Sequence, residues 1–184
     1  MDEAGRGPLA GPVVAAACVV PADVHIAGVA DSKQLTEEQR EALYAALTSH
    51  PRVEWSACVV SHTVIDSINI LQATLRAMEG AVAGLATAPD RVLIDGNKVP
   101  PGLAATGECI IGGDDKSYAI GAASIIAKVT RDRLMLALDA QFPLYGFAQH
   151  KGYGTAAHMA AIAKHGPCAA HRRTFAPMKH MKQG

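Results

Sequence analysis

The sequence predicts an α/β fold in which strands come early, helices are inserted between them, and helices dominate the end. Three observations carry this. Short β-rich apolar runs bounded by Pro and Gly fall at residues 12–21, 54–60, 91–95 and 108–111. Segments of helical period separate and follow these runs. The 184 residues are 49% hydrophobic and 18% charged, with no linker, repeat or low-complexity tract. That is the size and composition of one domain spanning 1–184 with a sizeable core.

The elements follow in order. PVVAAACVVP at 12–21 lies between prolines, after the Gly-rich stretch 5–11, and reads as a strand buried on both faces. Thr36 and Gln39 have capping-box spacing, and Leu43 and Leu47 give the helix that follows its apolar face. EWSACVV at 54–60 is the next strand. A helix is expected over 68–85, with Ile70, Leu71, Leu75, Met78 and Val82 at helical spacing. RVLID at 91–95 and ECII at 108–111 complete the strands. A long helix spans 117–140, and Thr155 caps a last one that ends before Gly166-Pro167.

Composition excludes several classes. Cys18, Cys58, Cys109 and Cys168 lie far apart with no zinc-type spacing, and read as buried thiols of a reducing, cytoplasmic protein. The run 12–21 is too short for a membrane span of about 20 residues. No basic segment precedes it, so it is not read as a signal peptide. The zero net charge hides an asymmetry. Residues 1–115 hold 7 Lys+Arg against 15 Asp+Glu, whereas 116–184 hold 10 against 2 and five of the eight histidines. An acidic body with a basic, helical end from about residue 116 fits a carboxylate site for a cation beside a surface for a polyanion.

Four acidic residues stand out. Asp2-Glu3 lies one residue before Gly5-Arg6-Gly7, Asp95 ends a strand before Gly96-Asn97, and Asp114 follows Gly112-Gly113. Carboxylates at strand ends converge on one edge of a sheet, and neighbouring glycines let a bulky substrate approach the backbone. Oxygen ligands without His or Cys suit Mg²⁺ or Mn²⁺, not zinc. A single Asp-Gly is most simply a turn, and it is the recurrence that points to a site. Composition alone reaches a metal-dependent phosphoryl-transfer enzyme and stops there.

DEAGRGPLAGPVVAAACV resembles the N-terminal signature of ribonuclease HII. The similarity continues in order through DSKQL (31–35), LIDGN (93–97), GDDKSYAIGAASIIAKVTRDRLM (113–135), FPLYGFAQHKGYGT (142–155) and HRRTF (171–175). The resemblance implies a ribonuclease H-like fold: a mixed five-stranded sheet flanked by helices, with additional C-terminal helices. It implies endonucleolytic cleavage of the RNA strand of RNA–DNA hybrids, and at single ribonucleotides embedded in duplex DNA, leaving 5′-phosphate and 3′-hydroxyl ends. The resemblance further implies a role in ribonucleotide excision during DNA replication and repair, for a monomer with no membrane association. Asp2, Glu3, Asp95 and Asp114 match the carboxylates that hold two divalent ions, Mn²⁺ or Mg²⁺. Gly5, Arg6 and Gly7 match the loop that reads the ribose at the RNA–DNA junction, and Tyr153 the tyrosine that stacks on the neighbouring sugar. The basic end then has a partner. Lys116, Lys128, Lys151, Arg172 and Arg173 are candidates for duplex phosphates, and Lys33 either joins them or leads into the capped helix. His150 and His171 are expected to face phosphate or to be structural, and Asp132 to support its helix beside Lys128.

Two departures from the family stand out. Met1 directly precedes Asp2-Glu3 where the family has an apolar strand, so most of that strand is expected to be missing. Asp115 stands where a small residue is usual and is an alternative to Asp114. A hybrid-binding chain without catalysis is one competing reading. A receiver-like signalling domain is another, opposed by the Gly-Arg-Gly loop and the basic end.

Overall fold

The strands form where the apolar runs lie, and one of them sorts the molecule into two faces. The computed structural model describes residues 1–29, Ser32 and 34–181. Strand β2 (Val13–Val19) pairs antiparallel with β1 (Asp2–Ala4) on one side and β3 (Glu54–Val60) on the other. A second ladder is parallel, between β4 (Val92–Asp95) and β5 (Gly107–Ile110). Met1 joins the two ladders. Its amino group donates to the Leu93 carbonyl at 2.7 Å, and its carbonyl accepts the Asp95 N–H at 3.1 Å. Bonding to residues on either side of Ile94 is the pattern of a parallel pair, so the strand order reads β3-β2-β1-β4-β5 in one mixed arrangement.

Strand β2 alternates perfectly. Val13, Ala15 and Ala17 face helix α3 (Ile70–Ala83), meeting Ala73, Ala77 and Ala81. Ala16 and Cys18 face helix α5 (Tyr118–Gln141), meeting Ala122, Ala123 and Ile126. Period-two alternation puts successive side chains on opposite faces, and the run of alanines lets helices approach from both sides. Gly80 of α3 serves the same close approach, because a Cβ there would run into the Cys58 side chain of β3.

Helix α1 (Glu37–Ser49) starts with the expected capping box: the Gln39 N–H donates to Thr36 Oγ1 at 3.2 Å, and the Thr36 N–H to Gln39 Oε1 at 2.8 Å. The helix expected over 68–85 is found as α3, and a further short helix that the sequence did not predict comes before it. Helix α2 (His62–Ile68) ends at Asn69, whose φ of 68° breaks the rod, and the Asn69 side chain then caps α3 by accepting the Gln72 N–H. Asp114 lies on a four-residue helix, α4 (Gly113–Lys116), that was not foreseen. Helices α6 (Phe147–His150) and α7 (Ala156–His165) follow, the latter capped by Thr155 as expected. Around them Ala10, Met135, Phe147, Ile162 and Met178 form a separate apolar cluster. Among the described residues no helix is long and apolar enough to cross a membrane.

Candidate active site

Three carboxylates converge where β1, β4 and α4 meet. One oxygen each from Asp2, Asp95 and Asp114 lies within 4.8 Å of the others. Each is held by its own element. Asp2 sits on the inner strand β1, opposite Ala16, and its Oδ1 accepts the Glu3 N–H at 2.7 Å. Asp95 ends β4, and its Oδ1 accepts the Gly113 N–H at 2.7 Å, which ties it to the start of α4. That bond needs Gly113, since a Cβ there would meet the Ile120 side chain. Asp114 lies in the first turn of α4, where its Oδ1 accepts the Asp115 N–H at 3.2 Å.

Asp2 and Asp114 are buried and Asp95 half-buried. Burial first, then the charge of Glu3 and of Asp95, pushes the Asp2 carboxyl up to about 7. Like charges packed into a dry corner call for a cation, and an all-oxygen set suits a hard divalent one. The residues present therefore fit the Mg²⁺ or Mn²⁺ expected from the sequence. Glu3 lines the same clefts as Asp95 and pairs with Arg6 at 3.4 Å. Asp115 instead is exposed and accepts from Gln34 Nε2 at 2.9 Å, so the geometry groups Asp114, not Asp115, with the others.

Beside the carboxylates lies a cleft of about 280 Å³ bordered by Asp2, Glu3, Gly5, Arg6, Gly7 and Tyr153. Ser32, Ser124 and Lys128 also line it; the two serine hydroxyls share a hydrogen bond of 2.7 Å. Tyr153 is 46% exposed. A Cβ on Gly7 would come within 3.6 Å of its ring. The loop and the tyrosine, 146 residues apart in sequence, are thus neighbours over one cleft.

The loop rests on two buried guanidiniums. Arg172 donates from Nη1 to the Arg6 carbonyl at 2.9 Å, from Nη2 to Gly5, and from Nε to Gly11 at 3.0 Å. Arg131 of α5 donates from Nε to Pro12 and from Nη1 to Lys151, both at 3.0 Å. Burial pushes both below the ordinary arginine range, Arg172 to about 9 with Arg131 adding to the effect. Arg172 is a correction to the expected phosphate contact: it is wholly buried and fully occupied by backbone carbonyls. Lys151 is corrected likewise. Its side chain is buried, donating from Nζ to Ala148 at 2.6 Å, with Glu37 at 3.8 Å. Lys116 and Arg173 are exposed, donating to the Ile111 carbonyl and to Pro167 and Cys168 respectively. Lys33 lies outside the described residues.

Arg131, Ser32 and Ser124 were missed from sequence. For Arg131 a signal existed, because it falls four residues from Ala127 and from Met135, on the stripe of α5 that faces inward.

Comparison with known proteins decides among the readings. The family model described as ribonuclease HII matches residues 1–179. The chain belongs to the ribonuclease HII family. It is 54% identical to a ribonuclease HII of Xanthomonas oryzae pv. oryzae, covering 100% of this chain and 73% of that protein. It is 53% identical to one of Rhizobium meliloti, covering 98% and 82%. Ribonuclease H2 from Pyrococcus horikoshii OT3 superposes with a TM-score of 0.78 at 29% identity, over 97% of this chain and 93% of that one. The ribonuclease H-like fold expected from the sequence is borne out. The protein is an RNase H endonuclease, a hydrolase acting on the RNA of RNA–DNA hybrids. Neither the receiver-like reading nor the hybrid-binding chain without catalysis finds support. Family members use divalent metals, and the Asp cluster is of the kind that binds them.

Proposed function

We propose that this ribonuclease HII homologue cleaves at single ribonucleotides embedded in duplex DNA as well as in RNA–DNA hybrids, leaving 5′-phosphate and 3′-hydroxyl ends. The observation that carries the reading is one cleft that holds Asp2, Glu3 and Asp95 together with the Gly5–Arg6–Gly7 loop and Tyr153. Asp2, Glu3, Asp95 and Asp114 would hold two Mn²⁺ or Mg²⁺ ions. Such a pair, when bound, supplies an activated water and neutralises the leaving 3′-oxygen of an in-line displacement.

The chain's own residues do the rest. Asp95 and Asp114, tied to each other through the Gly113 N–H and α4, keep the carboxylates at fixed spacing before any cation arrives. The backbone of the Gly5–Gly7 loop approaches the ribose closely enough to bond the 2′-OH, the group that separates RNA from DNA. Arg6 offers a fork for phosphate at the rim, and Lys128 a second charge within the cleft. The Tyr153 ring, beside Gly7, stacks on the adjacent sugar. Lys116 and Arg173 contact duplex phosphates further out. The chain acts as a monomer in this reading. The free cysteines support a cytoplasmic location.

The test is cleavage of a duplex carrying one ribonucleotide. Activity is expected only with Mg²⁺ or Mn²⁺, and Asp95→Asn should abolish most of it while hybrid binding stays nearly intact. Full activity in excess chelator, or a wild-type rate for Asp95→Asn, overturns the reading.

A further inference from the structure

Beneath Tyr153 lie three histidines that the chemistry above does not use. His150 stacks on His158 with ring centroids 4.3 Å apart, and Phe147 meets both edge-on. His158 and His171 are wholly buried. Their partners fix the tautomers. The Cys168 N–H donates to His171 Nδ1 at 3.0 Å, so the His171 proton sits on Nε2. That N–H donates to His158 Nε2 at 3.0 Å, which leaves the His158 proton on Nδ1. There it meets the Tyr153 carbonyl at 2.9 Å. Donation therefore runs one way, from the Cys168 amide through two imidazoles to the Tyr153 carbonyl. His150 closes the other flank, accepting the Gly152 N–H at Nδ1 and donating from Nε2 to Tyr145. The order requires neutral rings, and burial supplies them by pushing His158 down and His171 to about 4.

Tyr153 needs such an anchor. Its ring is half in solvent, and its peptide lies between Gly152 at φ +83° and Gly154, two residues with wide backbone freedom. The ring has the Arg131 guanidinium 5.9 Å from its centroid. The Tyr153 peptide also donates to the His150 carbonyl at 2.9 Å and accepts the Thr155 N–H at 2.8 Å, so the histidine bond is one of several that set the ring's aim over Gly7. A chain of hydrogen bonds, each polarising the next, holds a carbonyl more firmly than a single bond would.

We propose that His171 and His158 are positioning residues for Tyr153, and that their relay fixes the ring against the Gly5–Gly7 loop for recognition of a ribonucleotide flanked by deoxynucleotides. This rests on the reading of Tyr153 as a substrate contact.

The test is steady-state cleavage of a duplex with one ribonucleotide in Mg²⁺. His158→Leu should lower kcat/KM about tenfold, the scale of one buried hydrogen bond. His158→Asn, whose side-chain N–H stands where Nδ1–H stood, should recover most of the loss; His158→Gln, with its N–H further out, should not. In a Tyr153→Ala background, His158→Leu should cost nothing more. An equal fold-loss with and without Tyr153 overturns the proposal, because His158 would then act elsewhere. If the leucine variant does not fold, the Asn and Gln variants carry the test, and equal cleavage by the two overturns it. Tyr153→Ala at wild-type rate defeats the substrate reading of Tyr153 and the relay with it. A damaged Tyr153→Ala beside an unimpaired His158→Leu defeats the relay alone.

Discussion

Two glycines at the site have similar backbones and opposite surroundings. Gly5 has φ +98° and Gly96 φ +104°, so alanine is strained at either. A Cβ on Gly5 would strike the Arg131 guanidinium and the Pro12 carbonyl, whereas one on Gly96 has nothing within 4 Å. Gly96→Ala is therefore expected to cost only strain, about 1–2 kcal/mol. Gly5→Ala should cost about 1–3 kcal/mol more, the penalty of overpacking. Urea unfolding of the two variants measures the difference, and equal midpoints would refute the argument. At this scale the sequence was informative about chemistry and silent about burial. Asp2, Asp95 and Asp114 were legible because carboxylates close to glycines recur along the chain, where one alone would pass for a turn. Arg172 was misread because HRRTF shows two like charges, and only packing reveals that one lies under a loop and its neighbour in solvent.

Among the elements, strands were the most legible, since apolar β-branched runs bounded by Pro and Gly have one simple solution. The capping box at Thr36 was legible because its two bonds are local. Helix α2 and the turn at Asn69 that ends it were not. Helix α2 is only seven residues long, too short to show a period, and the left-handed Asn69 that separates it from α3 leaves no trace in the apolar positions Ile68, Leu71 and Leu75. Helix α4 escaped because four residues are too few to show periodicity. Asn69 both adopts φ 68° and caps α3 through Gln72, and the two roles separate by substitution. Asn69→Gly should cost a few tenths of a kcal/mol, since Gly tolerates the backbone and serves moderately as a cap. Asn69→Ala loses both and should cost about 2 kcal/mol. Thermal unfolding of the pair decides, and a harmless alanine would show that α2 and α3 need no such hinge.

Across the whole molecule, two buried groups make opposite demands on pH. The Asp2 carboxyl, at about 7 in the folded protein against 3.8 when unfolded, holds its proton longer in the native state. Its contribution is fully present below pH 3.8 and is lost as pH rises toward 7, in the absence of metal. His171 does the reverse. Lowered from 6.5 to about 4, it contributes fully above pH 6.5, and that contribution is lost as pH falls toward 4. His158 shifts in the same direction. Metal-free protein should therefore show a shallow stability profile between pH 4 and 7, because the two slopes offset. Asp2→Asn should remove one of them. It should be more stable than wild type at pH 8 in chelator, and lose more stability on acidification to pH 4. Melting temperatures across that range check both, and parallel profiles would refute the assignment.

The two guanidiniums beneath the loop also limit how the protein can respond to salt. Association with a duplex releases condensed counterions, and the salt slope counts the phosphates neutralised. Arg131, Arg172 and Lys151 are folded into the body, so the basic end offers fewer charges to that count than its composition implies. Arg6, Lys116, Lys128 and Arg173, which are within reach of solvent, should together contribute about −4 to the slope of log K against log salt. Neutralising Arg172 should leave that slope unchanged while loosening the loop, whereas neutralising Lys116 should flatten it by about one. Positive charge among the described residues is thus divided between a framework folded away from solvent and an outer set open to a polyelectrolyte.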